Sequence, residues 1–391
     1  MTIGATFAAV IGLTGGGEPT TQNLDGSFDA PPALVWERDL PGPLVQAAKH
    51  VELGTPVIDG DEILVGALGK DALFTLDRYT GTLLHRYPAV GSVQSPALVD
   101  GEHVIFSDSA GYTFCYRRGS SEAVWKHYGG APILSSPLLA GAVLYVANVG
   151  STVYALDRET GTLRWRYVHD RDVGREAQLE LYGTPQPVDH GEDVLAAFHD
   201  GALVALSKDR GEREWQATVG EGKYTDIIGR PVVVGDDVIV SGFSFPLVSM
   251  KLDSKNVRWR VETGGTNEVV VDQGVGYFAG GDGLLSAIDL INGSTRWSWE
   301  APQGASMTTP LLTPAGLVVG TAAGGLHLID EQTGELEWSY MAGRTLSGFT
   351  AGIAVDGRQM VVVTNQGRIM SFVSISEDAG FAANAATLWA E

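Results

Sequence analysis

The chain has 391 residues, of which 44% are hydrophobic and 19% are charged, and 51 are glycine. This composition argues against a disordered or membrane-spanning chain and is typical of a turn-rich globular β protein. The net charge of −21, from 47 acidic and 26 basic residues, disfavours a nucleic-acid partner, because phosphate binding needs a basic surface and no Lys/Arg cluster occurs. The single cysteine excludes an intramolecular disulfide.

The first segment, residues 1–32, contains no predicted strand. Residues 3–13 are mildly apolar, but they lack a basic start, are too short to span a bilayer and are followed by no cysteine that could be lipidated. The glycine run at 15–17 and the polar residues up to Ala30 are typical of a linker. We therefore expect residues 1–32 to be a flexible arm or the remnant of an export signal.

A repeated eleven-residue frame organises the chain beyond this segment. Its best copy runs from Ala155 to Trp165 and is written A-x-D-x-x-T-G-x-x-x-W, and good copies also occupy 287–297 and 328–338. Successive last positions of the frame are 38 to 50 residues apart, and such a period is a mark of repeat or propeller proteins. These positions are Trp36, His85, Trp125, Trp165, Trp215, Trp259, Trp297 and Trp338.

Each interval between frames repeats the same predicted elements. A Thr-Pro or Ser-Pro step opens most of them, as at Ser136 and Pro137, and a β-branched strand such as 143–146 follows. A glycine turn such as 200–201 then leads to a second strand and into the frame. Because no interval has a long stretch at helical spacing, the sequence predicts an all-β fold of four-stranded antiparallel units, the size of one propeller blade.

The two ends of the repeat region are complementary. Eight openings occur, and the last unit, 350–373, has no terminal tryptophan strand, whereas the strand at 33–37 carries Trp36 without a preceding blade. We expect this N-terminal strand to complete the eighth blade, which closes the ring and removes its open sheet edges. The predicted domains are one eight-bladed β-propeller at 33–373 and a C-terminal tail at 374–391.

Residues that could support catalysis are not grouped along the chain. The eight histidines show no metal-ligand spacing, and neither a G-x-S-x-G elbow nor a phosphate-binding glycine loop occurs. Asp200 and Asp282 stand beside glycine in turns, where aspartate is common for conformational reasons. Cys115 takes the small-residue position of its frame, which favours burial over reactivity. We therefore predict no catalytic, cofactor-binding or metal-binding residue.

The frame resembles the tryptophan-docking repeat of quinoprotein-type (PQQ-like) β-propellers, and the resemblance covers 33–373. In that family the tryptophan ring locks one blade against the next. The ring is stacked between the small residue at the start of a frame and the glycine of a neighbouring frame. A large flat ring needs a small residue opposite it, and glycine lets a backbone approach closely. The resemblance implies a structural, blade-docking role for Trp36, Trp125, Trp165, Trp215, Trp259, Trp297 and Trp338.

Two branches of this family must be separated. The enzymatic branch comprises dehydrogenases that hold pyrroloquinoline quinone (PQQ) and calcium at the ring centre, and its members commonly carry an adjacent-cysteine disulfide, which one cysteine excludes. Calcium also requires several convergent oxygen ligands. We therefore expect a protein that is not an enzyme and holds no cofactor. The alternatives are a PQQ- and calcium-dependent dehydrogenase-like protein and a ligand- or polysaccharide-binding sensor.

The scaffold branch, the BamB-like proteins, resembles this chain in length, blade count and degenerate frames. It implies a periplasmic, outer-membrane-associated subunit, monomeric within its complex, that binds the POTRA domains of the barrel-assembly protein. In that family a Leu-x-Leu-Arg-Gly segment and two aspartates contribute to the partner surface. Here Leu179 and Leu181 match the leucines, Tyr182 replaces the arginine, Asp226 matches the first aspartate and Ile228 replaces the second. The implied partner-binding residues are Leu179, Leu181, Tyr182 and Asp226.

These residues also have ordinary structural interpretations. Leu179 and Leu181 fit the core face of a strand, and Asp226 fits a residue that satisfies backbone groups of its own loop. Two irregular segments are further candidate contacts, the charged loop 169–178 and the aromatic turn 243–246. Loops on a rigid scaffold are common binding sites, although a solvated loop or packing on a neighbouring blade is the ordinary alternative.

Overall fold

In a computed structural model, the strands form a closed ring of eight blades. Each blade is a four-stranded antiparallel sheet, and seven of the eight use four consecutive strands. The predicted all-β, eight-bladed propeller is therefore confirmed. The structure describes residues 24–42, 53–170, 185–219, 226–242, 246–342 and 348–375.

The strands of the first four blades follow one another along the chain. Blade 1 contains β2 (Val57–Asp59), β3 (Glu62–Val65), β4 (Ala72–Asp77) and β5 (Leu83–Pro88). Blade 2 contains β6 (Leu98–Asp100), β7 (His103–Ser107), β8 (Tyr112–Arg117) and β9 (Ala123–Tyr128). Blade 3 contains β10 (Leu138–Ala140), β11 (Val143–Asn148), β12 (Thr152–Asp157) and β13 (Leu163–Val168). Blade 4 contains β14 (Val188–His190), β15 (Asp193–Ala197), β16 (Ala202–Ser207) and β17 (Arg213–Thr218).

The remaining blades continue the order, and the last one takes its outer strand from the N-terminal side. Blade 5 contains β18 (Val232–Val234), β19 (Asp237–Val240), β20 (Leu247–Lys251) and β21 (Val257–Val261). Blade 6 contains β22 (Val270–Asp272), β23 (Val275–Ala279), β24 (Leu284–Asp289) and β25 (Thr295–Glu300), and a 3₁₀ turn (Pro302–Gly304) follows it. Blade 7 contains β26 (Leu311–Thr313), β27 (Gly316–Gly320), β28 (Gly325–Ile329) and β29 (Leu336–Met341). Blade 8 contains β30 (Ala354–Asp356), β31 (Gln359–Val363), β32 (Arg368–Ser374) and β1 (Pro32–Asp39).

Ring closure occurs as the sequence predicts. Strand β1 pairs antiparallel with β32, with Ala33 opposite Val373 and Trp36 opposite Ser371. The order β1-β32-β31-β30 makes the N-terminal strand the outer strand of blade 8. The pairing joins the two ends of the repeat region, so that blade 8 is complete and lies beside both blade 7 and blade 1.

The hydrophobic core is divided among the blade interfaces. The second and third strands of a blade are buried on both faces, as β11 and β12 show, whereas the outer strand β13 alternates between exposed residues and the buried Trp165. A buried apolar cluster fills each interface between neighbouring blades. Burial of apolar surface stabilises by about 25 cal/mol per Å², so every blade depends on both of its neighbours.

The antiparallel order gives the ring two distinct faces. Turns of the frame, such as 158–162, lie on one face together with turns between the first two strands of each blade. We call this the repeat face. Turns between the second and third strands, such as 149–151, lie on the other side with the connections between blades, such as 129–137. We call this the connection face.

Part of the N-terminal segment packs on the ring. Phe28 is fully buried in the cluster between blades 7 and 8, and its carbonyl accepts a hydrogen bond from Ala315 N at 2.9 Å. Leu24 O accepts one from Arg358 N at 3.1 Å. Residues 24–31 therefore lie against blades 7 and 8. The division into arm, propeller and tail stays a prediction, and among the described residues no helix has the length and apolarity that crossing a bilayer requires.

Candidate functional site

The frame builds its own turn. In blade 3, Asp157 Oδ1 accepts hydrogen bonds from the backbone and the hydroxyl of Thr160, at 3.1 and 3.0 Å, and Gly161 N donates to Asp157 O at 2.8 Å. The hydrogen bond from Arg164, followed by those from Thr160, lowers the pKa of Asp157 to about 2. Gly161 has φ +65°, a left-handed conformation that favours glycine. The Asp, Thr and Gly of the frame are thus required by the turn.

At five of the joints, the tryptophan of one frame lies against the frame glycine of the next blade. The Trp125 ring covers Gly161, where an added β-carbon would lie 2.5 Å from the ring, and Trp125 Nε1 donates to Arg158 O at 3.1 Å. Cys115 stands directly opposite Trp125 across the sheet. The joint therefore combines a small residue, a ring, a glycine and a hydrogen bond. The same ring-over-glycine contact occurs for Trp36 on Gly81, Trp165 on Gly211, Trp259 on Gly293 and Trp297 on Gly334.

The ring-closing joint replaces the tryptophan hydrogen bond with a polar network. Trp36 Nε1 is buried and has no hydrogen-bond partner among the described residues. The carbonyl of Arg78, at the position that other joints use as acceptor, instead accepts from Gln359 Nε2 at 2.8 Å. The Arg78 guanidinium donates to Gln359 Oε1 at 2.7 Å and to Asp356 Oδ2 at 2.6 Å. Blade 8 is thereby tied to blade 1 by charge-assisted hydrogen bonds.

Trp338, in blade 7, has a different environment. The outer strand of blade 8 is β1, so no frame turn joins it to β32 and no frame glycine lies there. The Trp338 ring instead meets Phe372 edge-on, with centroids 6.2 Å apart, and packs on the cluster that contains Phe28. The N-terminal segment thus supplies apolar cover beside the Trp338 ring.

A lysine replaces the frame glycine under Trp215. Lys255 adopts φ +60°, and its Nζ lies 3.8 Å from the centroid of the Trp215 ring and donates to Leu252 O. Burial lowers the pKa of Lys255. A cation over an indole ring is attractive, so this joint exchanges ring-over-glycine packing for a cation–π contact.

We expect Lys255→Ala to lower the free energy of unfolding by about 1 kcal/mol, because it removes the cation–π contact and keeps the left-handed backbone. Lys255→Gly should stay within about 0.5 kcal/mol of the parent, since glycine relieves a strain of about 1 kcal/mol. Urea unfolding of the two variants beside the parent measures the difference. Equal stability of the two variants would mean that the left-handed conformation at 255 costs nothing.

The residues predicted to bind a partner are only partly described. Leu179, Leu181 and Tyr182 lie outside the described residues, as does most of the irregular turn 243–246. Asp226 lies at the entry to blade 5, where its Oδ1 is 3.5 Å from His199 Nδ1 and its side chain is 22% exposed. The structure thus places this one predicted residue in an ion-pair geometry on the connection face.

Asp226 belongs to a group that we call the histidine–aspartate cluster, formed by His169, Phe198, His199, Asp200 and Asp226. The His169 ring stacks on Phe198 with centroids 4.2 Å apart, and its Nε2 lies 2.7 Å from Asp200 Oδ2. Burial opposes ionisation of Asp200, but the hydrogen bond and charge of His169 outweigh it and hold the pKa of Asp200 below its usual value. The cluster joins the exit of blade 3, a turn of blade 4 and the entry to blade 5.

Sequence reasoning did not find His169, His199 and Asp200 as one group. The two ion pairs join residues that are 31 and 27 positions apart, and those separations follow from the blade geometry. His199 Nε2 is also buried with no hydrogen-bond partner in the described parts of the chain. The signal that the sequence offers is that His169 begins the long charged loop 169–178, and that His199 and Asp200 adjoin the glycine turn of the next unit.

A cavity of about 1060 Å³ opens at the ring centre on the connection face. All eight blades contribute to its wall through the segments that open each unit, including Thr55, Ser136, Asn267 and Thr309. Arg230, at its edge, pairs with Glu268 at 2.7 Å. Within the described ranges, no three His, Cys, Asp or Glu side chains converge as metal ligands. Hydroxyl and amide side chains therefore share this channel mouth with apolar residues, glycines and a few charged side chains.

Cys115 is buried, as predicted. Its side chain is enclosed in the cluster between blades 2 and 3, and burial raises the pKa of the thiol to about 12. A thiol with this pKa is almost entirely protonated at neutral pH and is a poor nucleophile. Cys115 therefore has a packing role as the small residue opposite Trp125.

Comparison with known proteins gives a consistent result. The family model described as outer membrane protein assembly factor BamB matches residues 110–299. Among curated relatives, BamB of Yersinia pestis is 22% identical over 281 residues, which cover 70% of this chain and 69% of that protein. BamB of Burkholderia pseudomallei is 25% identical over 331 residues, covering 81% of this chain and 83% of that protein. These relatives carry the name of an assembly factor, not that of an enzyme.

Solved structures agree on the fold. The crystal structure of BamB from Moraxella catarrhalis superposes with a TM-score of 0.73 at 17% identity, covering 88% of this chain and 99% of that chain. The computationally designed Ika8 protein superposes with a TM-score of 0.67 at 16% identity. Together with the frame turns and the tryptophan contacts described above, these matches confirm the family resemblance that the sequence indicates. The chain is a PQQ-like repeat β-propeller that resembles the outer membrane protein assembly factor BamB.

Proposed function

We propose that the chain is a non-catalytic scaffold that binds a protein partner and has a BamB-like role in the assembly of outer-membrane β-barrel proteins. The observation that carries the proposal is the BamB likeness over most of the chain, in both sequence and fold. The ring supplies what a scaffold needs, since interlocked blades hold the connections between them at defined positions. Its place of action would be the periplasmic side of the outer membrane, as a monomeric subunit of an assembly complex.

The partner surface would lie on the connection face at blades 3 to 5. The predicted residues Leu179, Leu181 and Tyr182 belong to the connection between blades 3 and 4, and Asp226 belongs to the connection between blades 4 and 5. The histidine–aspartate cluster lies between these two connections and ties the ends that the structure describes. Apolar and aromatic anchors held on such a rigid base are typical hot spots of protein interfaces.

The POTRA domains of the barrel-assembly protein are the partner that the resemblance implies. We expect the double variant Leu181→Asp with Tyr182→Ala to reduce binding of purified POTRA domains at least about tenfold, because truncated interface anchors typically cost 2 kcal/mol or more. Binding would be measured by biolayer interferometry on the full chain. Thermal unfolding should remain that of the parent.

The matched control is Leu336→Asp, which introduces the same charge at an exposed leucine on the outer strand of blade 7. It should leave POTRA binding unchanged. Undiminished binding by the double variant would reject the assigned surface, and no binding of any barrel-assembly component by the parent chain would reject the proposed role.

A further inference from the structure

The joint between blades 1 and 2 lacks the tryptophan contact that other joints use. His85 takes the tryptophan position and packs edge-on against Tyr87, with ring centroids 4.5 Å apart. Ser121 stands at the frame-glycine position of blade 2, and the turn is held by a hydrogen bond from Gly119 N to the Tyr87 hydroxyl at 3.1 Å. Arg118 instead bridges the blades on the repeat face through ion pairs with Asp59 and Glu62. The outer strands of these two blades are thus joined by smaller contacts.

A groove of about 350 Å³ lies at this joint, on the outer rim of the ring. Its blade 1 side is formed by Pro88 and Val90, and its blade 2 side by Phe114, Tyr116 and Lys126. The Tyr116 hydroxyl donates to Pro88 O at 2.6 Å, which holds the two sides together. Apart from the lysine, the side chains that form the groove are apolar or aromatic, so the groove suits an apolar side chain.

The groove continues into an exposed apolar and aromatic surface on blade 2. Tyr128 is 58% exposed and stacks on Tyr112 at 4.8 Å, and Val124 is 49% exposed on the same side of β9. Val90, on the blade 1 side of the groove, is 59% exposed. Exposed residues of this kind grouped around a groove are typical of an interaction site.

The groove carries a positive charge, whereas the whole protein is strongly negative. Lys126 lies between Val124 and Tyr128 on the same face of β9, and its Nζ is 5.9 Å from the centroid of the Tyr112 ring. No carboxylate pairs with Lys126 within the described part of the chain. In a chain of net charge −21, this cation favours a ligand that brings its own carboxylate.

The backbone beside the groove is also available. Strand β9 is the outer strand of blade 2, and its outer edge pairs with no described strand. Strand β5 of blade 1 ends in Pro88, which has no N–H and blunts that edge, whereas β9 contains no proline. A chain that pairs with β9 would direct every second side chain toward blade 1, because paired residues of neighbouring strands point to the same face.

We propose that the groove between blades 1 and 2 binds an extended acidic segment of a partner protein, which adds a strand to β9, places an apolar side chain in the groove and sets a carboxylate against Lys126. Main-chain hydrogen bonds to a free sheet edge supply affinity in this mode, and pockets for alternate side chains supply specificity. The site lies on other blades than the surface proposed above and does not depend on it.

The test uses the full chain and a fluorescein-labelled peptide, Thr-Phe-Thr-Glu-Thr-Val-Thr, whose Phe, Glu and Val share one face when the peptide is extended. The comparison peptide carries Lys in place of Glu. Fluorescence anisotropy should show at least about tenfold tighter binding of the acidic peptide, equivalent to about 1.4 kcal/mol. Lys126→Glu should reverse this preference. Hydrogen exchange should slow in the 123–128 segment when the acidic peptide is bound.

The matched control is Arg166→Glu, at the same frame position on blade 3, where Trp125 and Gly161 close the joint. It should keep the parent's preference for the acidic peptide. Three results would overturn the proposal: neither peptide binds, both peptides bind equally, or Arg166→Glu abolishes the preference as fully as Lys126→Glu. Binding without protection of 123–128 would overturn the strand addition.

Discussion

Substituting Gly161 by alanine is expected to lower the free energy of unfolding by about 3 kcal/mol. Two costs add at this site. A left-handed backbone at φ +65° disfavours a β-carbon by about 1 kcal/mol. The added carbon would also lie 2.5 Å from the Trp125 ring, and such overpacking costs about 1–3 kcal/mol as the ring is displaced. The tryptophan joint should therefore be sensitive to a single methyl group.

The chain offers a matched control at Gly141, which joins β10 to β11 in the same blade. Gly141 has φ +62°, but an added β-carbon there would contact nothing within 4 Å. Gly141→Ala should therefore lower the free energy of unfolding by about 1 kcal/mol, which is the cost of a β-carbon on a left-handed backbone. Equilibrium urea unfolding of both variants isolates the contribution of the tryptophan contact. Equal losses for the two variants would show that the ring over Gly161 does not hold the blades together.

The second large effect is a loss of stability in acid caused by His327. This side chain of β28 is buried, faces the Trp299 ring at 5.1 Å and has no hydrogen-bond partner for either nitrogen among the described residues. Burial lowers the pKa of His327 to about 4, from 6.5. The unfolded chain binds a proton as the pH falls through 6.5, whereas the folded chain stays neutral there until about pH 4. Stability is therefore full above pH 6.5 and is lost toward pH 4, by about 3 kcal/mol.

The variant His327→Phe keeps a ring against Trp299 and removes the titrating group. Urea unfolding of parent and variant should be measured at pH 7 and at pH 4.5. Carboxylates contribute equally to both proteins, so they cancel in the comparison. Between pH 7 and pH 4.5, we expect the parent to lose about 2–3 kcal/mol more of its free energy of unfolding than the variant loses. An unchanged difference between the two pH values would show that His327 is protonated in the folded chain.

Blade number and ring closure were predictable because they depend on local patterns that recur. The Asp157, Thr160 and Gly161 turn is built from residues within five positions of one another, so the frame marks it directly. The unmatched strand at 33–37 and the unit without an outer strand at 350–373 predicted the pairing of β1 with β32. Burial of Cys115 followed from its frame position for the same reason.

Contacts between blades were less accessible to sequence reasoning. The frame copy that ends at Trp259 places Lys255 at the glycine position, but only the structure shows that its ammonium group lies over the Trp215 ring. Similarly, His85 was visible as a lapse in the pattern, whereas the groove beside it depends on how blades 1 and 2 meet. These contacts depend on how neighbouring blades pack, and they produce no repeated pattern in the sequence.

The sequence by itself determined the propeller class, the eight units and the residues that build each frame turn, because hydrogen bonds over a few residues and alternation along strands act locally. Only the tertiary structure decided which distant groups meet, such as His169 with Asp200, His199 with Asp226, and Arg78 with Gln359. Those meetings depend on the rotation of one blade relative to the next. That rotation is set by packing of the apolar clusters between blades, which many sequences can satisfy.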